Sequence, residues 1–207
     1  MTTILRIDAS SRAAGSVSRG LGDYLESLLL SRQPQTQIVR RDLVASPLPH
    51  IEQETIVGYF TPVAELTDPL RRATELSDAL IAELKSADTI ILTVPMYNFS
   101  IPSALKAWID QIVRIGHTFS FDGANFTGLV GGKKVFLLLA YGAAGYAPGE
   151  PFAAANFVEP YLRFLFGFLG MTDVTCFSVE ATSTGPEATE KGVQTAKLAM
   201  SQALSNS

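Results

Sequence analysis

The residues best suited to binding a ligand follow an apolar, β-prone run that ends at Pro95. Four consecutive positions hold a thioether, two aromatic rings and an amide: Met96, Tyr97, Asn98 and Phe99. Large apolar groups at the mouth of a buried strand are costly to expose, and a flat aromatic ligand packed on them would cover them. The Asn98 amide and backbone N–H groups would supply the few orienting hydrogen bonds that such pockets use. The residues alone equally allow Tyr97 and Phe99 to fill a contact with a helix or a second subunit.

A second segment is rich in hydroxyl groups and has the composition of a small anion site. Ser10, Ser16 and Ser18 lie between a β-prone run and an amphipathic helix pattern. Their hydroxyls and the free N–H groups of a helix start could hold one terminal phosphate without a lysine, and Arg12 and Arg19 could assist. Neither GxGxxG nor GxxxxGKS/T is present, which disfavours a dinucleotide pyrophosphate or a triphosphate. The alternative is that Ser16 is an ordinary N-cap.

Composition excludes several other classes of protein. The 207 residues carry 16 basic and 20 acidic side chains, and a net charge of −4 disfavours nucleic acid as a partner. Prolines interrupt the longest uncharged stretch, residues 89–105, so no membrane span is predicted. Arg6 and Asp8 break the only early apolar run, which disfavours a secretory signal and predicts a cytoplasmic location. One cysteine and two histidines exclude an intramolecular disulfide and make a metal site improbable.

Alternating β-prone runs and amphipathic patterns account for almost the whole chain. Five runs rich in apolar or β-branched residues are predicted strands: 3–8, 37–42, 89–94, 135–139 and 174–179. Apolar spacing with proline and glycine signals predicts helices at 17–30, 69–86, 103–113 and 152–169, and a last one that begins near residue 186. Residues 43–62 are predicted to include a short helix, and residues 118–132 a hairpin or loop.

Strands that alternate with helices indicate an α/β fold, a doubly wound and largely parallel sheet of five strands with helices on both faces. The length favours one domain over residues 1–207. In such sheets ligands bind beyond the carboxyl ends of the strands, where the strand order reverses. The loops at residues 9–16, 95–101 and 141–149 are therefore predicted to build the site.

The loop after the third strand and the helix that follows it resemble the FMN-dependent azoreductases of the flavodoxin-like NAD(P)H:quinone oxidoreductase group. The resemblance lies in residues 96–99, 101–103, 105–106, 108–110, 114, 116 and 118–119, and it extends to 10, 16–18, 128–130, 132–134 and 172–174. It therefore covers nearly the whole chain. It implies a flavodoxin-like fold, FMN as the cofactor, NADH or NADPH as co-substrate, and a homodimer with FMN near the subunit interface.

The resemblance also assigns residues to the cofactor. It places the FMN phosphate at Ser10, Ser16, Val17 and Ser18 and the flavin ring at Met96, Tyr97, Asn98 and Phe99, and it adds a third loop of Ala140, Tyr141, Gly142 and Ala143. Many relatives have a serine-arginine-glycine-glycine or similar polar run in that loop. The departure here removes side-chain hydrogen bonds but leaves backbone donors and small residues, and Tyr141 could stack or hydrogen-bond at the flavin edge.

By the same resemblance, an apolar, planar substrate pocket is formed by Phe60, Phe119 and Tyr146, some of them reaching across the dimer. Phe60 lies in the irregular segment and could act as a lid. His117 is conceivable as a proton donor, but other residue types hold this position in relatives. No side chain is predicted to be catalytic, because the cofactor would carry the redox chemistry.

The predicted activity is a ping-pong transfer of a hydride from NAD(P)H through FMN to quinones, with reductive cleavage of aromatic azo compounds in the same pocket. Nothing in the sequence decides between NADH and NADPH or names the physiological acceptor. The alternative is a flavodoxin-like electron carrier or flavin-binding module without direct NAD(P)H turnover. Such carriers are usually strongly acidic and have a TxTGxT-type loop, whereas this chain is mildly acidic and lacks that loop. A structural α/β domain with degenerate loops is the third hypothesis.

Overall fold

The chain folds around a parallel β-sheet, described for residues 2–205 in a computed structural model. The strands within these residues are β1 Thr3–Asp8, β2 Gln37–Asp42, β3 Thr89–Pro95, β4 Phe119–Phe121, β5 Phe126–Gly128, β6 Lys134–Ala140 and β7 Asp173–Val179. Five of them form the main sheet in the order β2-β1-β3-β6-β7, and every neighbouring pair is parallel. The flavodoxin-like five-stranded sheet predicted from the sequence is confirmed.

The described α-helices are α1 Val17–Arg32, α2 Gln53–Phe60, α3 Asp68–Ser86, α4 Ser103–Ile112, α5 Glu159–Phe168 and α6 Pro186–Ser205. Helices α1 and α6 pack on one face of the sheet, and α3, α4 and α5 pack on the other. No helix among residues 2–205 is both long enough and apolar enough to cross a bilayer.

The protein has a hydrophobic core on each face of the sheet, because side chains along the central strands point alternately to the two faces. On β3, Ile91 contributes to the core beneath α1 and α6, whereas Ile90 and Leu92 contribute to the core beneath the other three helices. Successive side chains of a strand point to opposite faces, so a strand covered on both sides is apolar throughout. The continuous apolar runs of β3 and β6 have this origin, and they fix the carboxyl ends of both strands at one edge of the sheet.

The predicted helix over residues 152–169 is wrong in its first half. Residues 153–155 form a 3-10 turn, and α5 begins only at Glu159. The Asn156 side chain accepts hydrogen bonds from the N–H groups of Val158 (3.2 Å) and Glu159 (3.3 Å). Pro160 then occupies the first turn, where a missing N–H costs nothing. The apolar residues before Asn156 mimic a helical face without forming one.

The structure confirms the predicted short helix in residues 43–62 and the predicted hairpin in residues 118–132. Residues 43–62 contain α2, and strands β4 and β5 pair as an antiparallel hairpin within residues 118–132. Gly128 in this hairpin lies against the turn that follows α5 so closely that a Cβ would be 2.2 Å from the backbone nitrogen of Gly170. The hairpin therefore depends on glycine at this contact.

Candidate functional site

The three loops predicted to build the site meet in one cleft at the carboxyl edge of the sheet. The cleft has a volume of about 230 Å³ and lies where the chain leaves β1, β3 and β6. Its lining comprises Ser10, Arg12, Ser16, Val17, Ser18, Pro95, Met96, Tyr97, Ala140, Gly142, Thr182 and Ser183. The structure thus brings together eight of the twelve residues predicted to bind the cofactor, from segments more than 120 positions apart.

The first loop presents hydroxyls and helix N–H groups to the cleft. Ser16 is the N-cap of α1, and its Oγ accepts a hydrogen bond from the Arg19 N–H (3.4 Å) and lies 3.3 Å from the Ser18 Oγ. The Ser10 Oγ accepts from the Arg12 N–H (3.2 Å). The first N–H groups of α1 have no intrahelical acceptor and carry the positive end of the helix dipole. This end of the cleft is suited to a compact anion.

The second loop is a tight turn held in a strained conformation. Tyr97 and Ser100 exchange two backbone hydrogen bonds of 2.9 and 3.1 Å, and between them Asn98 and Phe99 have φ angles of 49° and 69°. Positive φ at both central positions defines a turn that normally takes Asn-Gly. Phe99 instead presents a half-exposed ring, 54% accessible, beside the cleft. Strain of this kind at non-glycine residues clusters at functional sites.

Replacing Phe99 by glycine is expected to stabilise the fold and weaken the site. Glycine adopts positive φ without the Cβ penalty, so the free energy of unfolding should rise by about 1 kcal/mol, measured by urea denaturation of the cofactor-free protein. Binding of a planar aromatic ligand should weaken severalfold, because a stacking surface is lost. Ser103→Gly, in the first turn of α4, is the control, and it should lower stability. If the Phe99→Gly variant is less stable than the wild type, the claim that the positive φ angle of Phe99 strains this turn is contradicted.

The Tyr97 hydroxyl connects this turn to the first loop. It accepts a hydrogen bond from the Ser11 N–H at 3.2 Å. The aromatic residue therefore reaches across the cleft mouth and contacts the segment that carries Ser10. The two loops are held together by the same side chain that was predicted to pack on a planar ligand.

The third loop contributes backbone and small residues rather than side chains. Tyr141 is 2% exposed, and its ring stacks on that of Tyr146 with a centroid distance of 5.2 Å. Its hydroxyl accepts from Asn156, and burial raises its pKa above the ordinary tyrosine value. The Tyr141 ring belongs to the core on the side of α3, α4 and α5 and does not line the cleft. Its predicted role at the edge of a ligand, by stacking or hydrogen bonding, stays a prediction.

Two residues of the cleft were missed by sequence reasoning. Thr182 and Ser183 follow β7, and their N–H groups donate to the carbonyl oxygens of Tyr141 (3.1 Å) and Gly142 (3.0 Å). The loop after β7 therefore runs beside the loop after β6. The sequence indicated these two residues only by their position, because they follow the carboxyl end of β7, which pairs with β6 in the main sheet.

Glu180 fixes the conformation of the third loop. Its carboxylate accepts from the N–H groups of Gly145 (2.8 Å) and Tyr146 (3.1 Å). The Ala143 carbonyl accepts from Ala181 at 3.1 Å. Ala143 thus belongs to this supporting contact, and Ala140 and Gly142 are the members of the third loop that line the cleft.

A second cavity of about 690 Å³ lies beside the turn and shares Tyr97 with the cleft. It is lined by Tyr97, Asn98, Ser100, Ile101, Pro102, Ser103, Lys106, Phe157 and Tyr161. Its walls are mostly aromatic and aliphatic, with one ammonium group at its edge, paired with Asp110. This cavity is roomy enough for a planar ligand of several rings.

The predicted substrate-pocket residues are not gathered at the cleft by a single chain. Phe60 ends α2 and is 73% exposed, and Phe119 packs on Phe168 with ring centroids 4.9 Å apart. Tyr146 is buried behind Tyr141. His117 lines a separate cavity beside Arg114, and burial together with that guanidinium lowers its pKa.

The order of the main sheet reverses between β1 and β3, and the cleft lies above that point. If only the five strands of the main sheet are numbered along the chain, their order is 2-1-3-4-5. A cleft at the switch point of a parallel sheet with this order defines a flavodoxin-like α/β protein. The family described as flavodoxin-like fold matches residues 2–204, and the chain belongs to that family.

Similar proteins are named as FMN-dependent NADH:quinone oxidoreductases or as azoreductases. An FMN-dependent NADH:quinone oxidoreductase from Xanthobacter autotrophicus is 52% identical over 174 residues, 84% of each chain. An FMN-dependent NADH:quinone oxidoreductase 2 from Trichormus variabilis is 42% identical over 206 residues, 100% of each chain. The crystal structure of an azoreductase from Bacillus anthracis superimposes with a TM-score of 0.89 at 26% identity, covering 98% of both chains.

Proposed function

We propose that the protein is an FMN-dependent NADH:quinone oxidoreductase that also cleaves aromatic azo compounds. The observation that carries the proposal is the meeting of the hydroxyl-rich start of α1, the strained aromatic turn and the Gly142 segment in one cleft. The relatives described above are enzymes that use FMN and NADH, and the chain is an enzyme of this kind. Their names favour NADH over NADPH as the reductant, a choice that the residues leave open.

The donors of the cleft fit the chemistry of FMN. One end offers the hydroxyls of Ser16 and Ser18 with the N–H groups of a helix start, a set suited to a phosphate monoester. The other end offers Met96 and Tyr97, which suit an aromatic ring system. At Gly142 a Cβ would be 3.0 Å from the Ser183 Oγ, so a side chain there would occupy the cleft.

Bound FMN supplies the redox chemistry, taking two electrons from a nicotinamide and giving them to an acceptor. The chain's own residues bind and orient. Ser10, Ser16, Val17 and Ser18 would hold the phosphate, and Met96, Tyr97, Asn98 and Phe99 would hold the ring. The N–H of Ser11 fixes the Tyr97 hydroxyl, so this aromatic ring is already oriented before a ligand arrives. The larger cavity beyond Tyr97 would admit nicotinamide and acceptor in turn.

A homodimer with the cofactor near its interface is the proposed assembly. Several phenyl rings are more than half exposed, among them Phe60 on α2, Phe99 in the turn after β3 and Phe157 beside the second cavity. Exposed rings at this density are typical of a surface that a second subunit or a ligand covers. Phe60 and Phe119 would then complete the pocket of the partner rather than their own. The cytoplasmic location predicted from the sequence remains a prediction.

Reconstitution with FMN tests the proposal. The purified protein, mixed with FMN and freed from excess, should retain a visible band at about 450 nm that bleaches anaerobically with NADH. The same experiment tests the ping-pong order if the nicotinamide is removed before benzoquinone is added. In a ping-pong reaction the reduced protein needs no bound nicotinamide, so the band should still return. An aromatic azo dye in place of the quinone should lose its colour.

Other results would redirect the assignment. A band that is retained but bleached by neither NADH nor NADPH would favour the electron-carrier alternative. A reduced protein that requires bound nicotinamide to reduce benzoquinone would contradict the ping-pong order. No retained flavin at all would overturn the assignment of the cleft.

A further inference from the structure

Arg19 joins three segments around the anion end of the cleft. It lies in the first turn of α1, and its guanidinium makes a bidentate pair with the Asp42 carboxylate at 2.6 and 3.0 Å, at the end of β2. The same guanidinium donates to the Ser10 carbonyl oxygen at 2.8 Å. The side chain is only 15% exposed. It therefore connects α1, β2 and the loop after β1 from behind the cleft.

Asp42 is itself held in place, so the pair has a fixed geometry. Its Oδ1 also accepts from the N–H groups of Val44 (3.0 Å) and Ala45 (3.1 Å). Hydrogen bonding from Arg19 keeps the pKa of the Asp42 carboxyl well below its ordinary value. A planar guanidinium on a fixed carboxylate has little rotational freedom left, which makes it a precise donor to a third group.

The contact with the Ser10 carbonyl determines where the next N–H points. In a trans peptide the C=O of one residue and the N–H of the following residue point in opposite directions. With the Ser10 carbonyl turned back toward Arg19, the Ser11 N–H is turned toward the cleft mouth, where it donates to the Tyr97 hydroxyl. Phosphate loops of other families use glycines to reach such a conformation, and residues 10–14 contain none.

We propose that Arg19 is a positioning residue for the FMN phosphate, which acts by fixing the Ser10–Ser11 peptide and with it the position of Ser10 at the anion end of the cleft. The inference rests on the proposed function, because it assigns a role in binding that cofactor. Arg19 works through geometry rather than charge. The ionic network that includes Arg19 has three guanidinium groups and four carboxylates, so it carries no excess of positive charge: Arg6, Arg19 and Arg40 contact Asp8, Asp23, Glu26 and Asp42.

The test compares FMN with riboflavin, which has the same ring and ribityl chain but no phosphate. Dissociation constants of both for the cofactor-free protein are measured by quenching of flavin fluorescence. In Arg19→Gln the affinity for FMN should fall roughly tenfold, the value of about one lost charge-assisted contact. The affinity for riboflavin should fall less than that for FMN, because Arg19 reaches the ring site only through the hydrogen bond from the Ser11 N–H to the Tyr97 hydroxyl.

Two further variants separate positioning from charge and from folding. Arg40→Gln removes the same charge from the same network at a half-exposed side chain that contacts Glu26, and it should leave the FMN-to-riboflavin ratio unchanged. Arg19→Lys keeps the charge, but one ammonium cannot reproduce the bidentate fork and the carbonyl contact together, so the ratio should fall. Should Arg19→Gln fail to fold, Arg19→Lys decides the question.

The outcomes distinguish this inference from the proposed function. An unchanged ratio in the folded Arg19 variants, with the wild type preferring FMN, would overturn the role of Arg19 alone. An equal fall in Arg40→Gln would show that charge, not position, is responsible and would also overturn it. A wild type that binds neither flavin, or binds both equally, would overturn the placement of FMN itself.

Discussion

Replacing Ser16 by aspartate is expected to lower the affinity for FMN by roughly a hundredfold while leaving the cofactor-free protein as stable as the wild type. Ser16 is the N-cap of α1 and lines the anion end of the cleft. Aspartate caps helices as well as serine does, and its charge is favourable at a helix N-terminus. The same charge would lie a few ångströms from the bound phosphate. Two unit charges at about 4 Å repel by about 4 kcal/mol near a protein surface, and screening by salt reduces this to roughly 2–3 kcal/mol.

Ser16→Asn is the matched control. Asparagine has nearly the same shape and the same capping ability as aspartate but no charge, so FMN should bind within severalfold of the wild type. Riboflavin should bind both variants alike. The affinities are measured by fluorescence quenching, and thermal melting of the free protein checks the fold. Equal FMN affinities in the aspartate and asparagine variants would place the phosphate elsewhere in the cleft.

The largest loss of stability is expected from Arg6→Met. Arg6 is 4% exposed on β1, and its guanidinium contacts Asp8 (3.1 Å), Asp23 (2.7 Å) and Glu26 (3.2 Å). Methionine fills a similar volume but removes the guanidinium nearest to the buried Asp8 carboxylate and one of the two guanidinium partners of Glu26. Breaking a buried pair on one side costs about 3–5 kcal/mol, because an uncompensated charge remains in the interior. Urea denaturation of the cofactor-free protein measures this loss.

Arg41→Met on the neighbouring strand is the comparison for Arg6. Arg41 pairs with Glu83, and both side chains are about a quarter exposed. Water can replace the lost partner there, so the cost should stay within about 1 kcal/mol. A loss for Arg6→Met no greater than that for Arg41→Met would mean that the network beneath β1 is hydrated and contributes little.

The elements of this protein could be predicted because their signals are local. An uncharged, β-branched run such as the one before Pro95 forms a strand wherever both faces are covered, and the proline at residue 102 fits the start of α4. Helix α5 was extended too far because apolar residues before Asn156 have helical spacing. The capping contacts of Asn156 that set its true start depend on atomic positions and not on periodicity.

The sequence by itself determined a doubly wound parallel sheet, which its family resemblance specified as flavodoxin-like, the loops that face its carboxyl edge, and the residues of the first two loops that line the cleft. Alternating strands and helices allow few topologies, and the edge follows from topology. Only the tertiary structure decided that Tyr141 points into the core, that Thr182 and Ser183 join the cleft, and that Arg19 binds Asp42. Arg19 and Asp42 are 23 positions apart, and Thr182 is 41 positions from Tyr141. Their geometry is set by packing between neighbouring strands and helices, on which local propensity carries no information.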